Sequence, residues 1–173
     1  MSNTLRYRMA IALLALVAGL VALYLHLWKA GFTGPLTCTG NRGCEIAMMS
    51  RWGWFLGVDV ALIGAVGYTL VLGAALWGLS PAQASRAGPT LLLLGLIVPA
   101  VLFTIRLKYG EWVVLKTFCP WCFESTVTIV LCLVLALLDY RRVRRPATRP
   151  RSGARPRRTG RRSRCSRWIP PAP

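Results

Sequence analysis

Apolar residues gather into four long stretches, separated by segments rich in charge, glycine and cysteine. Residues 9–28 carry no charge over 20 positions, about 30 Å of helix and enough to cross a bilayer core. Residues 60–79 are a second uncharged run, preceded by Trp54, Phe55 and Asp59, with Trp54 placed as an interfacial anchor. Residues 87–105 make a third, interrupted by Pro99, which a membrane helix tolerates when neighbours or local distortion satisfy the freed carbonyl. Residues 121–138 make the fourth, apolar apart from Glu124, and Asp139 then opens a polar tail. The pattern predicts an all-α integral membrane protein, a four-transmembrane-helix bundle with an outer-face cysteine loop. Residues 1–140 read as one polytopic domain whose core comes from helix packing in lipid, and residues 141–173 as a tail. Arg6 and Arg8 ahead of the first run also suit a signal peptide. That run, however, exceeds an h-region of about 7–15 residues, and no A-x-A-like site closes it.

Basic residues set the orientation, because Lys and Arg near membrane ends stay on the cytoplasmic side. Arg6 and Arg8 precede the first span, Arg86 lies between the second and third, and Arg141, Arg142, Arg144 and Arg145 follow the fourth. Lys29, Arg42 and Arg51 in one outer loop, and Arg106, Lys108 and Lys116 in the other, oppose them only weakly. Both termini are therefore expected in the cytoplasm, with residues 29–53 and 106–118 on the outer face of a cell inner (plasma) membrane.

The formal charge of +17 divides unevenly, since residues 141–173 hold 13 of the 22 basic residues and none of the five acids. Arginine mixed with Pro, Ser and Gly buries too little apolar surface to fold, so the tail is expected to be disordered along anionic headgroups. No folded reader or interleaved aromatics accompany these arginines, which argues against nucleic acid as a partner. Cys165 in the tail would face a reducing cytosol.

Chemistry concentrates in two cysteine pairs, each bordering an apolar span. Cys119-Pro120-Trp121-Cys122 is a C-x-x-C motif at the outer end of the fourth span. Thiols three apart on a helical turn have Cβ atoms about 5–6 Å apart, close enough to bridge after a small adjustment. At a helix N-terminus the free N–H groups and the dipole favour the thiolate. Cys38-Thr39-Gly40-Asn41-Arg42-Gly43-Cys44 holds two glycines and no apolar residue between its cysteines, which predicts a mobile loop. A flexible outer dithiol beside a membrane-embedded one permits two successive thiolate exchanges. Static structural disulfides and a four-cysteine zinc site are the competing readings of the same pairs. The single histidine, His26, reads as an interfacial residue rather than a ligand, and Cys132 as core packing. Glu124 suits either a cap at the helix start or a proton relay within the membrane. Trp52, Trp54, Trp112 and Trp121 read as an aromatic belt, with Trp52 and Trp121 alternatively shielding the thiols from water.

These motifs resemble the vitamin K epoxide reductase family in its bacterial branch. The resemblance is carried by the Cys38 to Cys44 loop, Met49-Ser50-Arg51-Trp52-Gly53, Gly57, Gly64-x-x-Gly67-Tyr68, and Phe118-Cys119-Pro120-Trp121-Cys122. It covers roughly residues 9–140 and differs from the DsbB type, whose C-x-x-C lies in the first outer loop. It implies a quinone-dependent thiol oxidoreductase that takes electrons from a secreted thioredoxin-fold, DsbA-like partner and passes them to menaquinone or ubiquinone. By motif position Cys38 would meet the partner, Cys44 would relay to Cys119, and Cys122 would face the quinone. Ser50 matches a loop Ser or Thr that shapes the site, and Trp121, Glu124 and Thr126 are the further residues implied at the quinone. Two positions depart from the pattern. Asp59 stands where many bacterial members carry proline, and Thr126 where animal members often carry tyrosine, so that aromatic donor to a quinone carbonyl is missing. A DsbA-type partner near about −120 mV requires a more oxidising acceptor, which a lipid-soluble quinone supplies.

Overall fold

The computed structural model describes residues 3–34, 43–83 and 86–144. The elements in chain order are α1 Asn3–Lys29, α2 Gly43–Met49, a single 3₁₀ turn Arg51–Gly53, strands β1 Trp54–Phe55 and β2 Val58–Asp59, α3 Val60–Leu79, α4 Gly88–Tyr109, a π-helical turn Gly110–Val114, and α5 Pro120–Arg144. Four helices are long and apolar enough to cross a membrane, and they contain the four expected spans almost entirely. Val60–Leu79 coincides with its apolar run, and the other three helices extend further into the polar flanks than their runs indicate. Cys38, Arg145, Cys165 and the arginine-rich tail beyond residue 144 lie outside the described residues.

Packing follows from small residues on the facing helix stripes, which let backbones approach where lipid offers no competing hydrophobic drive. Ala12, Ala15, Ala18 and Ala22 of α1, at helical spacing, face α3 through Tyr68, Val71, Ala74 and Ala75. A Cβ on Gly19 would stand only 3.3 Å from Tyr68 Cβ, so glycine sets the approach there. The opposite stripe of α1, with Leu13, Val17 and Leu20, is exposed and suits lipid. α1 contacts α3 most and α5 next, while α4 closes the bundle against α5 and α3.

The pairings across the ends make the four long helices alternate up and down. Arg8 early in α1, Gly78 late in α3, Thr90 early in α4 and Asp139 late in α5 meet at one end. Lys29 and Asp59 meet at the other, as do Glu111 and Cys119. The apolar pattern assigned Arg8 to a polar flank and let Asp139 open the tail, and here the fold corrects it. Both are fully buried, Asp139 one and a half turns inside α5. Arg8 Nε donates to Asp139 Oδ2 at 3.1 Å, Nη1 to the carbonyls of Gly78 and Gln83, and Nη2 to the Arg86 carbonyl and Thr90 Oγ1. Thr90 Oγ1 in turn donates to Asp139 Oδ2 at 2.7 Å. Burial is tolerated because every guanidinium donor finds an acceptor.

The other end is built from short elements that cap the bundle. β1 and β2 form a minimal hairpin, Trp54 opposite Asp59 and Phe55 opposite Val58. Its turn residues Leu56 and Gly57 have φ of 53° and 80°, the left-handed pair that a tight type I′ connection requires. After α4 the Leu115 N–H reaches back to the Gly110 carbonyl at 2.9 Å, widening the last turn into a π turn, and Lys116 at φ 49° reverses the chain toward α5. Gly110 is obligatory there, because the indole of Trp52 lies where a Cβ would stand.

Candidate active site

Cys119 immediately precedes α5, and its side chain completes the helix start. Pro120 fills the first helical position, where its missing N–H costs nothing. The N–H of Cys122 then donates to Cys119 Sγ at 3.3 Å, so sulfur takes the part an N-cap oxygen usually plays. Hydrogen bonding from the Cys122 thiol holds the Cys119 thiol below its ordinary value of 9.0. Burial and the Glu111 carboxylate oppose that shift, while the Cys122 N–H and Lys108 add to it. Cys119 and Cys122 are both free thiols. The arrangement places a thiol shifted toward its thiolate, the more nucleophilic form, one turn from a second free thiol.

Cys119 does not stand alone. Cys44 near the start of α2 belongs to the same buried cluster as Cys119, together with Leu25 and Met48, and Trp121 and Cys122 pack against it. Gly43 explains the approach: a Cβ there would run into the backbone carbonyl of Phe118, so only glycine lets α2 reach the residue before Cys119. Cys44 is disulfide-bonded. Cys38, expected to meet a partner, lies outside the described residues.

On the far side of Cys122 lies a cavity of about 480 Å³, enclosed by α1, α3, α4 and α5. That volume falls within the range of about 300–1,000 Å³ usual for small-molecule sites. Ala18, Val21, Ile63, Leu96, Phe103 and Ile129 give it apolar walls, and Cys122, Trp121, Glu124 and Thr126 line it from α5. Trp121 Nε1 and Glu124 Oε2 are buried without a hydrogen-bond partner among the described residues. The Thr126 hydroxyl donates instead to the Cys122 carbonyl at 2.7 Å. Ser50 lies off the cavity wall. Its hydroxyl caps the turn Arg51–Gly53, accepting from the Trp52 N–H at 3.2 Å and donating to the Ala47 carbonyl at 2.8 Å. The four tryptophans divide between the two readings of them. Trp52 and Trp121 line the cavity, whereas Trp54 and Trp112 are exposed at the bundle's end.

The vitamin K epoxide reductase family model matches residues 9–137 of the chain. The chain belongs to the vitamin K epoxide reductase family. Membership makes it a membrane thiol oxidoreductase of a quinone-associated family, embedded in a bilayer by several spans and serving a thiol-redox partner.

Several groups around this vitamin K epoxide reductase site escaped sequence reasoning. Glu111 is 5% exposed; its Oε1 accepts from the Cys119 N–H at 2.6 Å and its Oε2 from Lys108 Nζ at 2.7 Å. Its sequence signal was an isolated acid three residues after a lysine, which is only a generic helix pair. His26 reads from sequence as a solitary interfacial residue, yet its Nδ1–H donates to Asp59 Oδ2 at 2.7 Å. Asp59 also accepts from Lys29 Nζ at 2.9 Å and caps α3 by accepting from the Ala61 N–H. Burial pushes the Asp59 carboxyl upward, but the bonds from His26, Lys29 and Ala61 outweigh it and hold the group below its ordinary 3.8. An acid just before an apolar run is an N-cap signal in its own right. Cys132 packs fully buried in the main core, as its mid-span position indicates. Among the described residues, no group of three or more His, Cys, Asp or Glu side chains is placed to hold a metal ion.

Proposed function

We propose that this chain re-oxidises a secreted, DsbA-like thioredoxin-fold protein, passing its electrons through two cysteine pairs to a quinone. A partner thiolate attacks the Cys38–Cys44 disulfide at Cys38, forming a mixed disulfide that the partner's second thiol resolves, leaving the partner oxidised and Cys38 and Cys44 reduced. The Cys44 thiolate next attacks the Cys119–Cys122 disulfide at Cys119, and Cys38 resolves that bridge. Two electrons have then reached the pair beside the cavity. One observation carries this reading: a free dithiol, its first sulfur capping a helix, separates a buried Cys44 from an apolar cavity.

The residues present fit a quinone head. The wall is apolar, Cys122 lies on it, and Trp121 Nε1 and Glu124 Oε2 supply partnerless polar atoms suited to a ring oxygen. A bound menaquinone or ubiquinone supplies an acceptor of two electrons and two protons. In this reading Trp121, Glu124 and Thr126 shape the quinone contacts, and Ser50 holds the turn that carries Trp52. The thiols face the outside of the inner membrane, both termini lie in the cytoplasm, residues 1–140 form the catalytic domain, and residues 141–173 lie along anionic headgroups.

The test is maleimide labelling of Cys119 and Cys122 in reduced, purified protein under anaerobic conditions, with and without a soluble quinone analogue. Wild type is expected to lose labelling at both thiols, and Cys122→Ser to keep labelling at Cys119. Unchanged labelling of wild-type thiols on adding quinone would overturn the proposal and leave a non-catalytic membrane protein with structural disulfides or bound zinc.

A further inference from the structure

The outer end of the cavity carries a hydrogen-bonded row of titratable groups that the thiol relay does not use. Asp59 and Lys29 both line the cavity and are nearly inaccessible, at 6% and 5% exposure. His26 lies off the wall, behind Asp59, in the last turn of α1, and its side chain is 28% exposed. From the end of the bundle inward, the sequence of contacts is therefore imidazole, carboxylate, cavity. The two links are His26 Nδ1 to Asp59 Oδ2 at 2.7 Å and Asp59 Oδ1 to Lys29 Nζ at 2.9 Å.

We propose that His26 and Asp59 form a proton inlet from the outer aqueous face to the quinone cavity. The inference rests on the quinone reading above. Its need follows from counting protons. When Cys119 reacts as its thiolate, the form toward which the Cys122 hydrogen bond shifts it, oxidising the pair forms one S–S bond, yields two electrons and releases one proton, that of Cys122. Reducing a quinone consumes two electrons and two protons. The second proton comes from the outer aqueous face, and a hydrogen-bonded route from a partly exposed side chain to the cavity wall runs through His26 and Asp59. His26 takes that proton from the outer face and passes it through Nδ1 to Asp59, whose carboxyl delivers it inside and is left ionised, the form that the Lys29 ammonium favours.

The other charged groups nearby are less suited. Arg106 of α4 is stacked over the rings of Trp52 and Phe55. Lys108 and Glu111 are paired with each other, and Glu111 also holds the Cys119 N–H. Glu124 lines the cavity, but no hydrogen bond among the described residues links it to an exposed group. The His26–Asp59 pair joins a partly exposed side chain to the cavity wall through one hydrogen bond. A capping role for Asp59 is real but separable, because asparagine caps a helix as well as aspartate does.

The experiment compares full-length wild type with Asp59→Asn, His26→Gln and His26→Gly. In quinone-free protein, the infrared carboxyl band of Asp59 should shift in His26→Gln, which reports the coupling without turnover. His26→Gln should unfold at the wild-type temperature, and both it and Asp59→Asn should bind a quinone analogue with unchanged affinity, read by quenching of Trp52 and Trp121. Both should oxidise Cys119 and Cys122 about 10²-fold more slowly, and imidazole should restore the rate of His26→Gly. Wild-type rates in both variants would overturn the inlet, and so would a loss of analogue affinity matching the loss of rate. A wild type that the analogue does not oxidise overturns the quinone reading itself, and the inlet with it.

Discussion

Where α1 begins, Arg8 commits all five guanidinium donors to Asp139, Thr90 and three backbone carbonyls, binding α1, α5 and the start of α4 into one closed knot. Where α1 ends, the buried charges Lys29, Asp59, Lys108 and Glu111 line an open cavity and keep one side toward it. The residue chemistry is the same, yet in the first cluster every guanidinium donor has an acceptor, Asp139 Oδ1 alone being left without a partner among the described residues, and the second cluster surrounds space. A buried ion pair so enclosed serves as a structural clasp, and breaking it strands a charge. A cluster on a cavity wall is free to act on whatever the cavity holds. Glu111 and Lys108 show this directly, since both bear on the Cys119 thiol, in opposite directions.

The comparison is broken most severely at the clasp. Arg8→Ala should strand the Asp139 carboxylate and cost about 3–5 kcal/mol, read as a lower unfolding temperature in detergent. The protein that remains folded should still oxidise its thiols at the wild-type rate per molecule. A large loss of rate per folded molecule would mean that the two ends are not independent. The second change sharpens the open end. The Glu111 carboxylate raises the Cys119 thiol and Lys108 lowers it. Glu111→Gln should therefore move the pH profile of Cys119 alkylation toward acid, and Lys108→Met toward alkaline. Shifts of the same sign in both would show that local unfolding, rather than charge, controls the thiol. The smallest effect is expected at Thr126, whose hydroxyl is already bonded within α5. Thr126→Val should cost about 0.5–1.5 kcal/mol of stability and leave quinone-analogue affinity unchanged. A drop in affinity would place the hydroxyl on the ligand.

Much of the frame was readable along the chain because lipid imposes a simple rule. Each span needs about 20 apolar residues, and the uncharged runs at 9–28 and 60–79 satisfy it without reference to anything distant. The C-x-x-C motif was equally legible, since Cys119, Pro120 and Cys122 act within a single turn. The hairpin at Leu56 and Gly57 was not, because its strands have only two residues each and leave no periodicity. Nor was the division of the tryptophans, which depends on Trp52 lying against Gly110 across the fold.

The amino-acid order alone therefore determined the number of spans, the two cysteine pairs and the family, because hydrophobic length and thiol spacing are local quantities. Tertiary structure alone decided which charges are buried and what they face. Arg8 and Asp139 stand 131 positions apart, and His26 and Asp59 stand 33 apart. Each side chain by itself is a polar residue near a membrane edge. Only helix packing removes water from Arg8, Asp139 and Asp59, and desolvation is what turns them into a clasp at one end and, at the other, into a group that addresses a cavity.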